Sequence, residues 1–438
     1  MPGGCWYMCQ RSRSRALLVT ASALVFVLAA CTANADTSGG ESQESQTVDA
    51  GASDGAEATT ESGTSSLESG DITIVSETYR TTDYDAAAVA SALRSNRNND
   101  AFPPPLLDPG AIVSGGVPPD GIPAIDNPRF VTVDDADFIQ PDEALVVVEI
   151  DDEVKAYPIQ ILIWHEIVND EIAGLPVTVT YCPLCNSALA FERQVGDRLL
   201  DFGTSGELYQ SALVMYDRQT ESLWAHFTGE GLVGHYAGVK LTAVPAQMLS
   251  FSRVQTDFPQ AQVLTRDTGT SRPYGTNPYI SYDAEDSDPF GHFFDGEVDP
   301  RLAPKARVVG VTLNDVAYAI EIAQPDDTSV VEVSVAGHDL VIFQQPGLAS
   351  ALDRAAVATG RNVGQTGAFV PVDSEGRLLT FMADGGRIID EETGSDWNLA
   401  GEATAGPLTG HVLERVPQLN TFWFAWSTYH PGTQIVEG

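Results

Sequence analysis

Two cysteines stand three positions apart in Tyr181-Cys182-Pro183-Leu184-Cys185-Asn186-Ser187. That spacing lets both sulfurs face one point, where they can bind a soft metal as thiolates or close a redox disulfide. The chain has five cysteines in all. Cys5 and Cys9 lie in the leader and Cys31 closes its apolar run, so the folded part keeps only Cys182 and Cys185, too few for a disulfide framework. Upstream, His165 in Trp164-His165-Glu166 is the expected third ligand, or a base beside the thiols. Two thiolates and an imidazole suit copper or zinc, with copper favoured outside the cytoplasm. The plain alternatives are a hydrogen-bonded structural histidine and two buried small apolar residues. Met215 reads as core, and His226, His235, His292, His338 and His411 as surface or hydrogen-bonding residues.

The elements that must position this pair read as β-structure. Residues 144–150 and 176–181 are rich in β-branched types with strand alternation, and turn signals such as Asp151-Asp152 and Gly174-Leu175 recur. Helical periodicity is scarce, so a mainly β (β-rich α+β) fold is expected.

An internal repeat organises the chain. Ala156-Tyr157-Pro158-Ile159 returns as Ala317-Tyr318-Ala319-Ile320, and Ser187-Ala188-Leu189 as Ser350-Ala351-Leu352. Arg198-Leu199-Leu200 returns as Arg377-Leu378-Leu379, and Asp217, Thr220, Ser222 and Trp224 as Asp390, Thr393, Ser395 and Trp397. The expectation is two pseudo-symmetric halves, 145–264 and 307–438, packed into one large domain and joined by an aromatic, acidic connector over 265–306. Aligned through Ser187 and Ser350, Cys182 becomes Gln345 and Cys185 becomes Leu348, so the second half is expected to make the same turn without thiols. His430 replaces Phe258 in the same comparison. Asp217 and Thr220 read as turn residues that cap backbone groups, Arg218 as an ion-pair partner, and 283–288 as a solvated acidic loop.

The N-terminal part gives an address. Arg11, Arg13 and Arg15 precede an apolar run over 16–30, shorter than the about 20 residues a bilayer crossing needs. It ends in Leu28-Ala29-Ala30-Cys31, which has the shape of a bacterial lipobox, so residues 1–31 are read as a lipoprotein signal with Cys31 the lipidated residue. Residues 32–76, rich in Ser, Thr, Gly and acid, read as a disordered tether, with a Pro-rich lead-in over 77–144 and a short helix over 86–94. The net charge of -38 repels phosphate backbones, which argues against nucleic acid as a partner. The expected location is the extracytoplasmic face of the cell membrane.

Four motifs together resemble a known family: Ile163-Trp164-His165-Glu166-Ile167-Val168-Asn169-Asp170, the Cys182–Cys185 segment, Phe202-Gly203-Thr204-Ser205-Gly206, and Tyr216-Asp217-Arg218-Gln219-Thr220-Glu221-Ser222-Leu223-Trp224. They are similar to the prokaryotic domain of unknown function 3179 (DUF3179), over most of the chain after about residue 100. The resemblance implies an exported domain and assigns no reaction. Three functions follow from the residues: a metal site of Cys182, Cys185 and His165; a surface protein binding a ligand through Tyr274, Tyr279 and Tyr282; and a thiol–disulfide oxidoreductase with Cys182 attacking.

Overall fold

The computed structural model describes residues 91–93, 97–314, 316–322, 327–335 and 337–436. The expected signal, Cys31 and the tether lie outside them, as does most of the helix expected over 86–94. Over the described residues the chain is mainly β, with 41% strand and 9% helix.

The core opens with the hairpin Ala144–Ile150 and Glu153–Pro158, which turns at Asp151 with φ 50°. Residues 144–148 are all buried, the unbroken apolar run of a strand covered on both faces. Pro158 then caps a short helix, Ile159–His165, which ends where Glu166 turns left-handed at φ 60°. Ile167–Ile172 and Leu175–Cys182 follow as a hairpin, and the chain turns over 183–186 into Ser187–Glu192.

Three sheets of the first half have counterparts in the second with the same strand order. Ala246–Ser250, Ala144–Ile150, Glu153–Pro158 and Gln262–Leu264 lie side by side, and so do Leu419–Phe422, Arg307–Leu313, Val316–Glu321 and Gln434–Val436. Ala243–Val244, Ser187–Glu192, Leu175–Cys182 and Ile167–Ile172 correspond to Glu414–Arg415, Gln365–Val370, His338–Gln345 and Ser329–Val335. Phe202–Tyr209, Ala212–Asp217, Leu223–Ala225 and Gly231–Val233 correspond to Phe381–Asp384, Arg387–Asp390, Asp396–Trp397 and Ala403–Ala405.

One matched quartet closes on the same hydrogen bonds in both places. Asp217 accepts the Thr220 amide at 2.6 Å, the Ser222 amide at 3.2 Å and the Trp224 indole at 2.9 Å. Asp390 accepts Thr393, Ser395 and Trp397 at 2.6, 3.0 and 3.0 Å. These aspartates cap backbone donors, as their turn composition predicts.

Two of the expected repeat matches do not coincide with the strand register. Val147 pairs with Ala156, while Val309 and Val311 pair with Ile320 and Tyr318, and the hairpin ends Ile150/Glu153 and Leu313/Val316 fall together. Ala156 therefore corresponds to Ala319, two residues beyond the Ala317 of the sequence match. Cys182 pairs with Ser187, whereas its counterpart Gln345 pairs with Gln365. The second half does not make the same turn: a long excursion over 346–364 replaces the tight turn 183–186, and Ser350 and Leu348 sit inside it.

The connector packs against this excursion. Asn277 and Ser281 donate backbone amides to Ala355 and Asp353 at 2.9 and 2.8 Å. Asp283 is fully buried and meets Arg307 at 3.4 Å, Arg361 at 2.8 Å and the Ser350 hydroxyl. The expected solvated acidic loop is thus wrong at its first residue, because three donors converge on that carboxylate; Glu285, Asp286 and Asp288 are exposed.

Candidate functional site

Cys182 is the last residue of its strand, and Ser187 opens the next. Between them the Cys185 amide bonds the Cys182 carbonyl at 3.3 Å and the Asn186 amide bonds the Pro183 carbonyl at 3.2 Å, with Asn186 left-handed at φ 50°. The remaining carbonyls of the turn are held from outside. Leu184 accepts the Tyr282 hydroxyl at 3.0 Å, and Cys185 accepts the Phe422 amide at 3.1 Å and the Thr421 hydroxyl at 2.8 Å. Connector and second half together clamp the turn.

The two sulfurs are 3.5 Å apart, and both are buried. Each also faces the Ser211 carbonyl, Cys182 at 3.8 Å and Cys185 at 3.5 Å. That carbonyl is aimed by a two-residue hairpin turn in which Gln210 and Ser211 are both left-handed. Burial opposes ionisation of Cys182, but the Cys185 thiol and the backbone amides of Leu213, Cys185 and Leu184 outweigh it, and its pKa is lowered. Burial pushes Cys185 the other way, well up, and the charge of Cys182 adds to the effect. The pair is therefore electrically unequal, with one sulfur disposed to ionise and the other to keep its proton.

Glu166 is an acid whose charge is felt by both thiols. Its backbone carbonyl accepts the amide of Tyr181, the residue before Cys182, at 2.8 Å. Its side chain is buried, and burial followed by the charge of Cys182 raises its pKa to about 8. Tyr279, Tyr282 and Tyr429 feel the same sulfurs, and burial pushes each phenol up. Of the three connector tyrosines expected to bind a ligand, Tyr282 donates to the Leu184 carbonyl of the thiol turn, and Tyr274 meets His165.

His165 is not part of this group. Its Nδ1 meets the Pro123 carbonyl and its Nε2 the Tyr274 hydroxyl, both at 2.6 Å, so both ring nitrogens are engaged. Among the described residues no three of His, Cys, Asp and Glu converge as a metal-holding group. The expected trio of Cys182, Cys185 and His165 does not assemble, because the helix ending at His165 turns that ring toward the lead-in segment and connector. Met215 is core, and His430 packs on Trp426 with ring centroids 4.1 Å apart. Arg218 pairs with Asp126 at 2.7 Å and Asp120 at 3.3 Å. The Gly-rich segment from Phe202 is a strand.

His226, expected as a surface or hydrogen-bonding residue, is hydrogen-bonded but lies buried beside the thiol turn. His226 is fully buried and bonds the Ser187 hydroxyl at 2.7 Å and the Thr180 hydroxyl at 2.9 Å. The available signals were a serine directly after the thiol turn and a histidine just beyond the strand Leu223–Ala225 that carries the buried Trp224.

A mainly β fold with an unequal dithiol at a strand end defines the class as far as geometry carries it. The profile described as "Protein of unknown function (DUF3179)" matches residues 119–433, and the chain belongs to that family. No curated protein and no solved structure matches it. Among the described residues no helix is long and apolar enough to cross a membrane.

Proposed function

We propose that this protein is an exported thiol–disulfide redox protein, lipid-anchored through Cys31, with Cys182 as attacking thiolate and Cys185 as resolving thiol. One observation carries the reading: two sulfurs 3.5 Å apart in a clamped turn, displaced in opposite directions in their readiness to ionise. The anchor is supported by the lipobox shape of residues 28–31, which also implies an oxidising exterior where such a pair is useful. The co-reactant class is a disulfide, R–S–S–R′. Cys182 thiolate attacks one sulfur, forming a mixed disulfide with R and expelling R′S⁻. Cys185 then loses its proton, attacks the Cys182 sulfur and expels RS⁻, leaving the Cys182–Cys185 disulfide. The two expelled thiolates take up the protons lost by Cys182 and Cys185, so the disulfide is reduced and the dithiol oxidised by two electrons. Glu166, whose pKa near 8 lies close to neutrality, suits proton exchange with Cys182.

The matched strand orders and the twin Asp217 and Asp390 hydrogen-bond sets support reading the chain as a duplication in which one half carries the chemistry.

Thiol trapping and mass spectrometry across a series of glutathione redox buffers test the redox reading. A single two-electron couple that disappears in Cys182→Ser and in Cys185→Ser is expected. Two thiols that stay alkylatable after denaturation, at every poise tried, would sink it. A soft metal ion is the second reading, favoured by the Ser211 carbonyl facing both sulfurs. Copper or zinc that co-purifies stoichiometrically with the wild type and not with Cys182→Ser would replace the redox reading.

A further inference from the structure

A cleft apart from the thiol turn is lined from both halves of the chain. Its cavity of about 220 Å³ exceeds the roughly 150 Å³ that holds a benzene ring in an engineered apolar core. Leu189 and Phe191, on the strand that leaves the thiol turn, line it together with Gly310 and Thr312 of the second half. Phe227 and Trp426 add two aromatic rings, with centroids 6.2 Å apart. The Trp426 indole N–H already donates to the Thr433 hydroxyl at 2.8 Å, so the polar atom of that ring is used.

Strand register gives this cleft a counterpart, and there the space is closed. Gly310 and Thr312 correspond to Val147 and Glu149. Ala243, paired with Phe191, corresponds to Arg415, paired with Phe369. The cavity beside Val147, Glu149 and Arg415 is only about 20 Å³. Arg415 fills it: its guanidinium pairs with Glu149 and lies over the Phe258 ring, 5.7 Å from the centroid. In the open cleft Ala243 and Thr312 cannot form that pair. Gly310 also lacks the side chain of Val147, and a Cβ there would run into the Trp426 indole. Two further differences add nitrogen. His430 stands where Phe258 stands, each following the last residue of its helix. Lys240 bridges to Glu230 as Val412 bridges to Glu402. The matching place shows how these strands close such a cleft; here three side chains are cut back and two apolar ones become donors.

We infer that this cleft binds a small planar aromatic carboxylate, with its ring against Phe227 and Trp426 and its carboxylate toward Lys240 and His430. Among the described residues that line the cleft none is acidic, in a chain with 61 acidic residues against 23 basic ones. Burial first and the charge of Lys240 second hold the His430 pKa at about 4, so at neutral pH Lys240 is the one charged group of the lining. A neutral imidazole still donates one N–H. Glu230 stands 4.0 Å from Lys240 and accepts the Thr228 hydroxyl at 2.9 Å. Its counterpart Glu402 is present at the closed place too, so the lysine is the addition, and a bound carboxylate gives it a second, nearer partner. The cleft is separate from the thiol pair, and the inference does not rest on the redox reading.

Indole-3-acetate and its uncharged relative 3-methylindole are titrated against the full chain by ligand-observed NMR. Saturable binding of indole-3-acetate with a Kd of about 1 mM or tighter is expected, with 3-methylindole at least fivefold weaker. The double variant Ala243→Arg, Thr312→Glu rebuilds the Arg415–Glu149 pair across the open cleft. Both positions are exposed, so the core is untouched, and both probes should bind at least tenfold more weakly. Lys240→Val installs the residue of the closed place. It should weaken indole-3-acetate at least fivefold and leave 3-methylindole within twofold of the wild type. Absence of saturable indole-3-acetate binding overturns the inference, and so does a double variant that binds it within twofold of the wild type. Equal affinity for the two probes overturns the carboxylate assignment. If the double variant fails to fold, Thr312→Glu alone decides: a tenfold loss of indole-3-acetate affinity is expected, and a change within twofold overturns the site. The titration involves no thiol chemistry, so its failure and the absence of a redox couple are separate results.

Discussion

The hydroxyl of Thr421 donates to the carbonyl of Cys185 at 2.8 Å, and this bond joins the thiol turn to a strand from the far half of the chain. Both groups are buried, and the adjacent Phe422 amide reaches the same oxygen at 3.1 Å. Replacing Thr421 by Val keeps the shape and removes one of the two bonds. A loss of about 1 kcal/mol is expected in urea unfolding. Because the lost bond restrains the turn, native-state alkylation of the cysteines should also quicken; unchanged alkylation with the expected stability loss would show that the turn is held without it.

The inequality of the sulfurs makes the single-cysteine variants differ. Cys185→Ser leaves the readily ionised Cys182, which should accumulate as a mixed disulfide when treated with oxidised glutathione. Cys182→Ser leaves a thiol that burial holds protonated, and it should modify at least tenfold more slowly. Intact-mass spectrometry over time reads both, and equal rates would contradict the assigned roles.

Two buried groups set opposite slopes of stability with pH. Glu166 has its pKa raised from 4.5 to about 8, by burial first and the charge of Cys182 second. Between those values the native state binds a proton that the unfolded chain lacks, so stability falls as pH rises through the window. His226 has its pKa lowered from 6.5 to about 3 by burial, so there the unfolded chain binds the extra proton and stability falls as pH drops. Glu166→Gln should flatten the fall toward pH 8, by at most about 5 kcal/mol. Asp217, also raised by burial, acts in the same sense and will leave some slope behind. His226→Gln should flatten the acid side. Denaturant titrations of the two variants at pH 4, 6 and 8 measure both effects, and a Glu166→Gln curve parallel to the wild type would rule out a protonated native Glu166.

The twin aspartates give a matched pair of substitutions. Asp217→Ala would strip the partner from the Thr220 and Ser222 amides and the Trp224 indole, and Asp390→Ala would do the same to Thr393, Ser395 and Trp397. Each should cost roughly 3 kcal/mol, as expected when several buried donors lose one acceptor. Only the first lies in the sheet whose hairpin turn aims the Ser211 carbonyl at the sulfurs. The Asp217 variant should therefore alter thiol reactivity and the Asp390 variant should not, as read by alkylation rates at a denaturant-free, fully folded temperature.

What the sequence displayed follows strand physics. The runs at 144–150 and 176–181 were legible because β-branched residues and alternation mark buried strands, and observed strands cover both. The repeat match at Ala156 slipped by two residues for the same reason: a shift of two preserves the face each side chain points to, so apolar alternation cannot resist it. The match at Ser350 failed because the segment 346–364 carries its own buried Ser350 and Leu352, which imitate a strand start. At the site, the cysteine pair was visible by spacing alone. His165 was misplaced because nothing in Trp164-His165-Glu166 fixes which of two adjacent residues the left-handed turn sends inward. It is Glu166 that feels the sulfurs. His226 was read as a surface or hydrogen-bonding residue; the hydrogen bonds are there, but its burial beside the thiol turn was not legible, because its partners Thr180 and Ser187 come from a different strand pair.

The buried meeting of Asp283 with Arg307 and Arg361 has a temporal meaning. The connector, whose Tyr282 hydroxyl holds the Leu184 carbonyl of the thiol turn, is fastened at that point to the half without thiols. A fastening out of water is little weakened by ionic strength. Local openings that cost about 4 kcal/mol leave roughly one molecule in a thousand exposed at any instant. Reagents would then meet these cysteines through the small fraction of molecules whose cover is lifted, a fraction nearly the same in dilute buffer and in brine.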